Sequence, residues 1–223
     1  MEKNSDRQSG LTQPFFSVII TTYNRANLLT RALNSLQAQT EQDWEAWVVD
    51  DGSTDDTLVT VKPFTDADAR IRFTTQAHQG NAVSRNQGVR LCKGKYITFL
   101  DSDDEYEPDH LSTRKTVLLK HPAVALLHGG VKIIGNPYVP DRFDYNRLIH
   151  LSECVIGGTF FIRQDVFSVV NEFRTLPLGA DSDFFERAEK AGITIAKTKL
   201  PTYIYHRESD DSITQNIARR NQA

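Results

Sequence analysis

The first half of the chain alternates short apolar runs with stripes of helical period. "FFSVIIT" (15–21) is a nearly continuous apolar, β-rich run, the pattern of a strand covered on both faces. "WEAWVVD" (44–50), "RIRFTT" (70–75) and "KYITFL" (95–100) read as three further strands. Between the first two, "NLLTRALNSLQAQT" places Leu28, Leu29, Ala32, Leu33 and Leu36 on one helical stripe. "DGSTDDT" turns at Gly52 and offers Ser53 or Thr54 as a helix cap. "GNAVSRNQGVRLCKG" (80–94) reads as a helix stopped by Gly94, and Pro108 opens another, "PDHLSTRKTVLLKH". This β-α-β-α order predicts an α/β, Rossmann-like fold with a mostly parallel sheet flanked by helices on both faces.

The second half is less regular. "AVALLHGGVKIIG" and "ECVIGGTFFIR" read as strands around glycines, and "DSDFFERAEKAG" (181–192) as a helix ending at Gly192. "ITIAKTK" and "PTYIYHR" read as two last strands. A length of 223 residues fits one domain. We place it at 15–207, with halves at 15–125 and 126–207, between a polar tail at 1–14 and another at 208–223.

Composition narrows the class. A formal charge of -3 argues against nucleic-acid binding through bulk charge. The two cysteines, Cys92 and Cys154, form no C-x-x-C pair or zinc pattern and read as buried thiols. No apolar run approaches the roughly 20 residues of a membrane helix, and the polar start is unlike a secretory signal. The expected location is cytoplasmic, with room for peripheral contact at the inner face of a membrane.

The chemistry gathers where the predicted strands end. Strand one runs into Thr21, Thr22, Tyr23, Asn24 and Arg25, strand two into Asp50 and Asp51, and strand four into Asp101, Ser102, Asp103 and Asp104. In an open parallel sheet these carboxyl ends share one edge, where ligands bind. Two like charges 4 Å apart repel by about 1 kcal/mol in water and about 4 kcal/mol at an effective dielectric of 20. A divalent cation reverses that sign, and oxygen-only ligands suit Mg²⁺ or Mn²⁺. Asp55, Asp56, Glu105 and Glu107 are read instead as acids near helix starts, where negative charge is favourable.

"SVIITTYNR", "VVDDGSTDDT", "NAVSRNQGV" and "YITFLDSDDEYEP", in this order, closely resemble the motifs of family 2 inverting glycosyltransferases, which have the GT-A fold. The similarity covers about 15–125 and continues more weakly to about 207. It implies transfer of a sugar from an NDP-sugar, by preference a UDP-sugar, to an acceptor hydroxyl in polysaccharide or glycoconjugate biosynthesis. It also implies roles. Thr21 and Tyr23 line the base, with Tyr23 stacking on it, and Asp51 hydrogen-bonds it. Arg85 lies near the donor, Asp103 near the ribose and metal, and Asp104 ligates Mn²⁺ or Mg²⁺; Asp101 matches the first acid of the D-x-D-like motif. His206, in a segment that closes over the diphosphate in related enzymes, would join the metal, and Arg207 would pair with phosphate. The partners are the nucleotide-sugar donor and a glycan or lipid-linked acceptor.

Inversion needs a base to take the acceptor proton. The resemblance assigns it to Asp181 in "PLGADSDFFERAEKAG", with Asp183 as an alternative two residues on. Ala180 replaces the family's usual Glu, which keeps open a catalytically inactive nucleotide-sugar-binding relative. Gly157 and Gly158 read either as a close approach to substrate or as a strand bulge. His78, His110, His121, His128 and His150 read as ordinary surface or core residues. A haloacid-dehalogenase-type phosphotransfer domain would want an acid at the end of strand one, where "TTYNR" has none.

Overall fold

The computed structural model describes residues 13–207; apart from residues 13 and 14, the two expected tails lie outside them. In chain order the elements are β1 (Phe16–Thr22), α1 (Ala26–Gln37), β2 (Trp44–Asp50), α2 (Thr57–Ala67), β3 (Ile71–Thr75), α3 (Asn81–Leu91) and β4 (Tyr96–Phe99). There follow β5 (Glu105–Tyr106), α4 (His110–Lys120), β6 (Leu126–His128), β7 (Val131–Gly135), β8 (Tyr138–Pro140) and β9 (Leu148–His150). The last are β10 (Phe161–Arg163), α5 (Val166–Val170), α6 (Ala180–Lys190), β11 (Ile195–Lys197) and β12 (Tyr203–Arg207).

Seven strands from both halves form one sheet in the order β11-β6-β10-β4-β1-β2-β3. Only β10 runs antiparallel to its neighbours. Phe16 lies level with both Trp44 and Tyr96, so β1, β2 and β4 start together and deliver their carboxyl ends to one edge. β1 shows why the run is apolar throughout. Val18 and Ile20 join a core with Leu29, Leu33 and Leu36 of α1, whereas Ile19 joins a second core with Ile97, Phe99, Phe160 and Phe184. Fully burying each such side chain stabilises the fold by about 1.5–3 kcal/mol. Gly88 lets α3 lie against β1, since a Cβ there would come within 2.5 Å of Ile19.

Several boundaries differ from the expectation. α2 begins at Thr57, with Asp56 and not Ser53 or Thr54 at the cap position. Asp55 holds that turn, accepting from the N–H of Thr57 at 3.1 Å and of Ala26 at 3.0 Å. Ser53 is drawn away, donating its hydroxyl to Asp50 and accepting from the N–H of Asn24. Gly94 lies beyond the end of α3, and a Cβ on it would sit 2.5 Å from the backbone nitrogen of Ser17, so it serves a close approach and not a helix stop. At Gly129 and Gly130, φ +86° and +76°, the chain leaves the large sheet. β7 then joins a smaller sheet in the order β5-β12-β7. Glu105 therefore belongs to a strand and not to a helix entry. Among the described residues no helix is long and apolar enough to cross a membrane.

Candidate active site

The carboxyl ends of β1, β2 and β3 build the first part of the site. Asp51 is buried just after β2. Its Oδ1 accepts from Gln76 Nε2 at 2.8 Å and Gln79 N–H at 3.0 Å, and its Oδ2 from Gly80 N–H at 2.7 Å. Burial raises the carboxyl's pKa, but these bonds, with Ser84, outweigh it and hold Asp51 below the usual carboxylate range. Tyr23, 41% exposed, stacks on His78 with ring centroids 4.0 Å apart and an interplanar angle of 21°. The His78 Nδ1 lies 2.8 Å from Asp51 Oδ2. Thr21 donates to Asn81 Oδ1 at 2.7 Å, at the start of α3. Thr21, Tyr23 and Asp51 thus lie along one edge, with His78 among them.

The acids after β4 divide three ways. Asp101 accepts from Arg85 at 2.9 Å and keeps 30% of its side chain exposed. Asp103 pairs with Arg25, and its backbone carbonyl accepts from Arg31. Burial and the nearby charge of Asp101 push the Asp103 carboxyl up, against the pull of Arg25. Asp104 is wholly buried, accepting from the Tyr203 hydroxyl at 2.6 Å and from the His206 N–H at 2.8 Å. Burial, then the charges of Asp103 and Asp101, push its carboxyl well above the usual range. The expectation groups Asp103, Asp104 and His206 around a cation; in the structure each of them has protein partners. Asp104 spends its oxygens fastening β12 to the end of β4. The His206 Nε2 lies 2.9 Å from Glu105 Oε1 on the adjacent strand β5. Arg207 donates to the carbonyls of Asn136 and Tyr138, a fastening of the same kind. Among the described residues no three His, Cys, Asp or Glu side chains are placed to hold a metal. Asp101 and Asp103 are each held by an arginine, Arg85 and Arg25.

Asp181 arrives from the other half of the chain. It stands in the first turn of α6, whose N-cap is Gly179 at φ +80°, so it does not cap the helix itself. Its Oδ2 accepts from the N–H of Gly157 at 2.9 Å. Arg85, buried on α3, bonds Asp101, and its charge interacts with both Asp101 and Asp181. Asp183 has another job, held by Arg187 at 2.9 Å and Arg174 at 3.2 Å. Gly157–Thr159 is a 3-10 turn, not a strand bulge. A Cβ on Gly157 would come within 2.8 Å of Arg85 Nη1 and 2.9 Å of Asp181 Cβ, and one on Gly158 within 2.3 Å of the Tyr203 hydroxyl. These glycines let the turn close upon protein side chains.

Sequence reasoning missed Arg25, His78 and Tyr203. His78 had a usable signal, because it follows β3 at the same carboxyl edge. Arg25 stands in the first motif, but its pairing with Asp103 spans 78 residues of sequence. Tyr203 reads simply as an apolar position of a last strand.

The fold is that of the GT-A glycosyltransferases. The chain belongs to glycosyl transferase family 2, whose sequence profile matches residues 17–169. Among curated relatives, an Escherichia coli UDP-Glc:alpha-D-GlcNAc-diphosphoundecaprenol beta-1,3-glucosyltransferase is 32% identical over 148 residues, covering 63% of this chain and 56% of the relative. E. coli chondroitin synthase is 43% identical over 96 residues, covering 43% of this chain and 14% of the relative. The chain thus spans little more than half of the first and a small part of the second. Among solved structures, S. aureus TarS 1–349 in complex with UDP-GlcNAc superposes with a TM-score of 0.76 at 22% identity, covering 89% of this chain and 60% of that one. A Pyrobaculum calidifontis mannosyltransferase in complex with GDP-Man and Mn²⁺ does so with a TM-score of 0.67 at 21% identity, covering 87% and 57%.

Proposed function

We propose that this chain carries out metal-dependent, inverting transfer of a sugar from a UDP-sugar to an acceptor hydroxyl. The observation that carries the reading is the position of Asp181. A carboxylate from the second half of the chain is fixed on the Gly157 N–H and shares Arg85 with Asp101, one of the acids after β4. On this reading Asp181 would serve as the base, linked through Arg85 to the edge where the donor would bind.

Tyr23 offers a flat face and Asp51 an ionised acceptor, which suits a base edge bearing an N–H, as uracil does. The donor set after β4 fits Mg²⁺ or Mn²⁺, which take one or two carboxylates together with substrate phosphates. Asp101 and Asp103 would hold the ion, and when bound it would neutralise charge on the departing diphosphate. Asp181 would take the acceptor hydroxyl's proton as the new glycosidic bond forms at the anomeric carbon and the bond to the diphosphate oxygen breaks. Arg142, in the β8–β9 hairpin, lies against Gly179 and pairs with Glu186 on α6, the helix that carries Asp181, and we assign the acceptor to that side. A glycan or lipid-linked hydroxyl compound, met at a membrane surface, is the acceptor class we infer from the first curated relative.

The test is a thermal-shift screen of UDP, GDP and their sugar conjugates with and without Mn²⁺, followed by product analysis. A ligand bound only by the folded state raises stability by about 2.7 kcal/mol at 100 times its Kd. A shift with UDP-sugars that grows with Mn²⁺, and a product of inverted anomeric configuration, is expected. No shift with any nucleotide would sink the reading. Binding without turnover on any hydroxyl acceptor would favour the inactive relative, in keeping with Ala180.

A further inference from the structure

His78 makes two contacts that a nucleobase would make. Its ring covers one face of Tyr23 at 4.0 Å, nearly parallel. Its Nδ1 meets two oxygens of Asp51, the carboxylate Oδ2 at 2.8 Å and the backbone carbonyl at 3.2 Å. The carbonyl can only accept, and an ionised carboxylate can only accept, so Nδ1 carries the hydrogen and donates it. A flat heterocycle thus stacks on Tyr23 and gives a ring N–H to Asp51. A uracil-type base offers the same pair of features through its imide edge.

The two cannot be satisfied at once. Centroids 4.0 Å apart leave no room for a base between Tyr23 and His78. The remaining acceptor positions of Asp51 are taken by Gln76, Gln79 and Gly80. We propose that His78 occupies the base subsite as an internal mimic of the nucleobase and must swing out before the donor binds. The loop is built for this. The backbone N–H groups of Gln79 and Gly80 stay fastened to Asp51, so the imidazole can leave by side-chain rotation alone. That side chain is 54% exposed, so rotation carries it into water without opening the core. His78 then lowers apparent nucleotide affinity by the fraction of time it holds the subsite, and favours bases that present an N–H to replace its own.

The inference rests on the nucleotide reading above, and calorimetry of UDP binding to the full chain separates the two. His78→Ala should bind UDP about three- to tenfold more tightly than the wild type. In the wild type, NMR should show the His78 ring protons shifted upfield by Tyr23 and returning towards free-imidazole positions as UDP saturates. If UDP binds and His78→Ala binds it equally or more weakly, or if the His78 shifts persist at saturation, the mimic is overturned while the nucleotide site stands. If UDP binds neither protein, the nucleotide reading falls and takes the mimic with it. The NMR arm uses the wild type, so it decides the matter even where the variant fails to fold.

Discussion

Asp181 accepts a hydrogen bond from the backbone N–H of Gly157 at 2.9 Å, joining the first turn of α6 to the turn that precedes β10. The bond points the carboxylate and holds it still. On the role proposed for Asp181, Asp181→Asn keeps the shape but removes the base. Turnover should fall by about 10²–10⁴, with UDP affinity by calorimetry within twofold of wild type. Gly157→Ala tests the positioning, because the added methyl would press on Arg85 and Asp181. A misplacement of about 1 Å can cost roughly 10²-fold, so kcat should drop while KM for the donor holds. Normal turnover in Asp181→Asn would remove Asp181 from the chemistry.

Arg85 is a buried cation that serves two carboxylates. It is 6% exposed, over the ring of Phe99 at 5.1 Å. Arg85→Ala would leave Asp101 without its ion-pair partner and Asp181 without a nearby positive charge. Removing one partner of a buried pair typically costs about 3–5 kcal/mol, and the partial exposure of Asp101 places this case near about 3 kcal/mol. Urea denaturation should show the midpoint falling with an unchanged slope. A loss below about 1 kcal/mol would mean that the two acids are already well hydrated.

The parallel core was legible because its strands and helices carry strong local patterns. β1 is apolar at consecutive positions because each face has its own core, and α1 shows its buried stripe plainly. The acidic carboxyl edge was legible for the same reason, since parallel strands must deliver Asp51 and Asp101–Asp104 together. What could not be read was the division of labour among the acids. Asp103 and Asp104 are adjacent in sequence, yet one turns to Arg25 and the other inward to Tyr203 and His206. That depends on β12, which returns about 100 residues later by a route that local periodicity does not specify. The small sheet was missed likewise: β5 has two residues, too few for a period.

The division among the acids is testable by isosteric change. Asp103→Asn should weaken Mn²⁺-dependent UDP binding at least tenfold by calorimetry. Asp104→Asn should keep it within threefold. The oxygen of the substituted amide can still accept from the His206 N–H, and its NH₂ group can turn towards the Tyr203 oxygen. Because burial makes the Asp104 charge unfavourable, the neutral amide should leave thermal stability at pH 7 equal or higher. Loss of the metal response in Asp104→Asn, with Asp103→Asn unaffected, would return Asp104 to the metal.

Acid should destabilise the protein through His128. Burial, with Lys197 nearby, lowers its pKa to about 4, against about 6.5 in an unfolded chain. His110, wholly buried beside Arg114, is lowered in the same direction. A histidine depressed in the fold takes its proton first in the unfolded chain. Its contribution is complete above about pH 6.5 and is lost as pH falls towards about 4, with a slope of up to about 1.4 kcal/mol per pH unit for one proton. Asp103 and Asp104 act with the opposite sign, since carboxyls raised in the fold favour it as pH falls from their folded pKa values towards the unfolded one. The net curve therefore mixes opposing groups, and the difference between wild type and His128→Leu isolates the histidine. That difference should be flat above pH 6.5 and should move steadily in favour of His128→Leu between pH 6.5 and 4, measured by urea denaturation at each pH. A difference that stays constant down to pH 4 would show that His128 keeps an ordinary pKa in the folded protein.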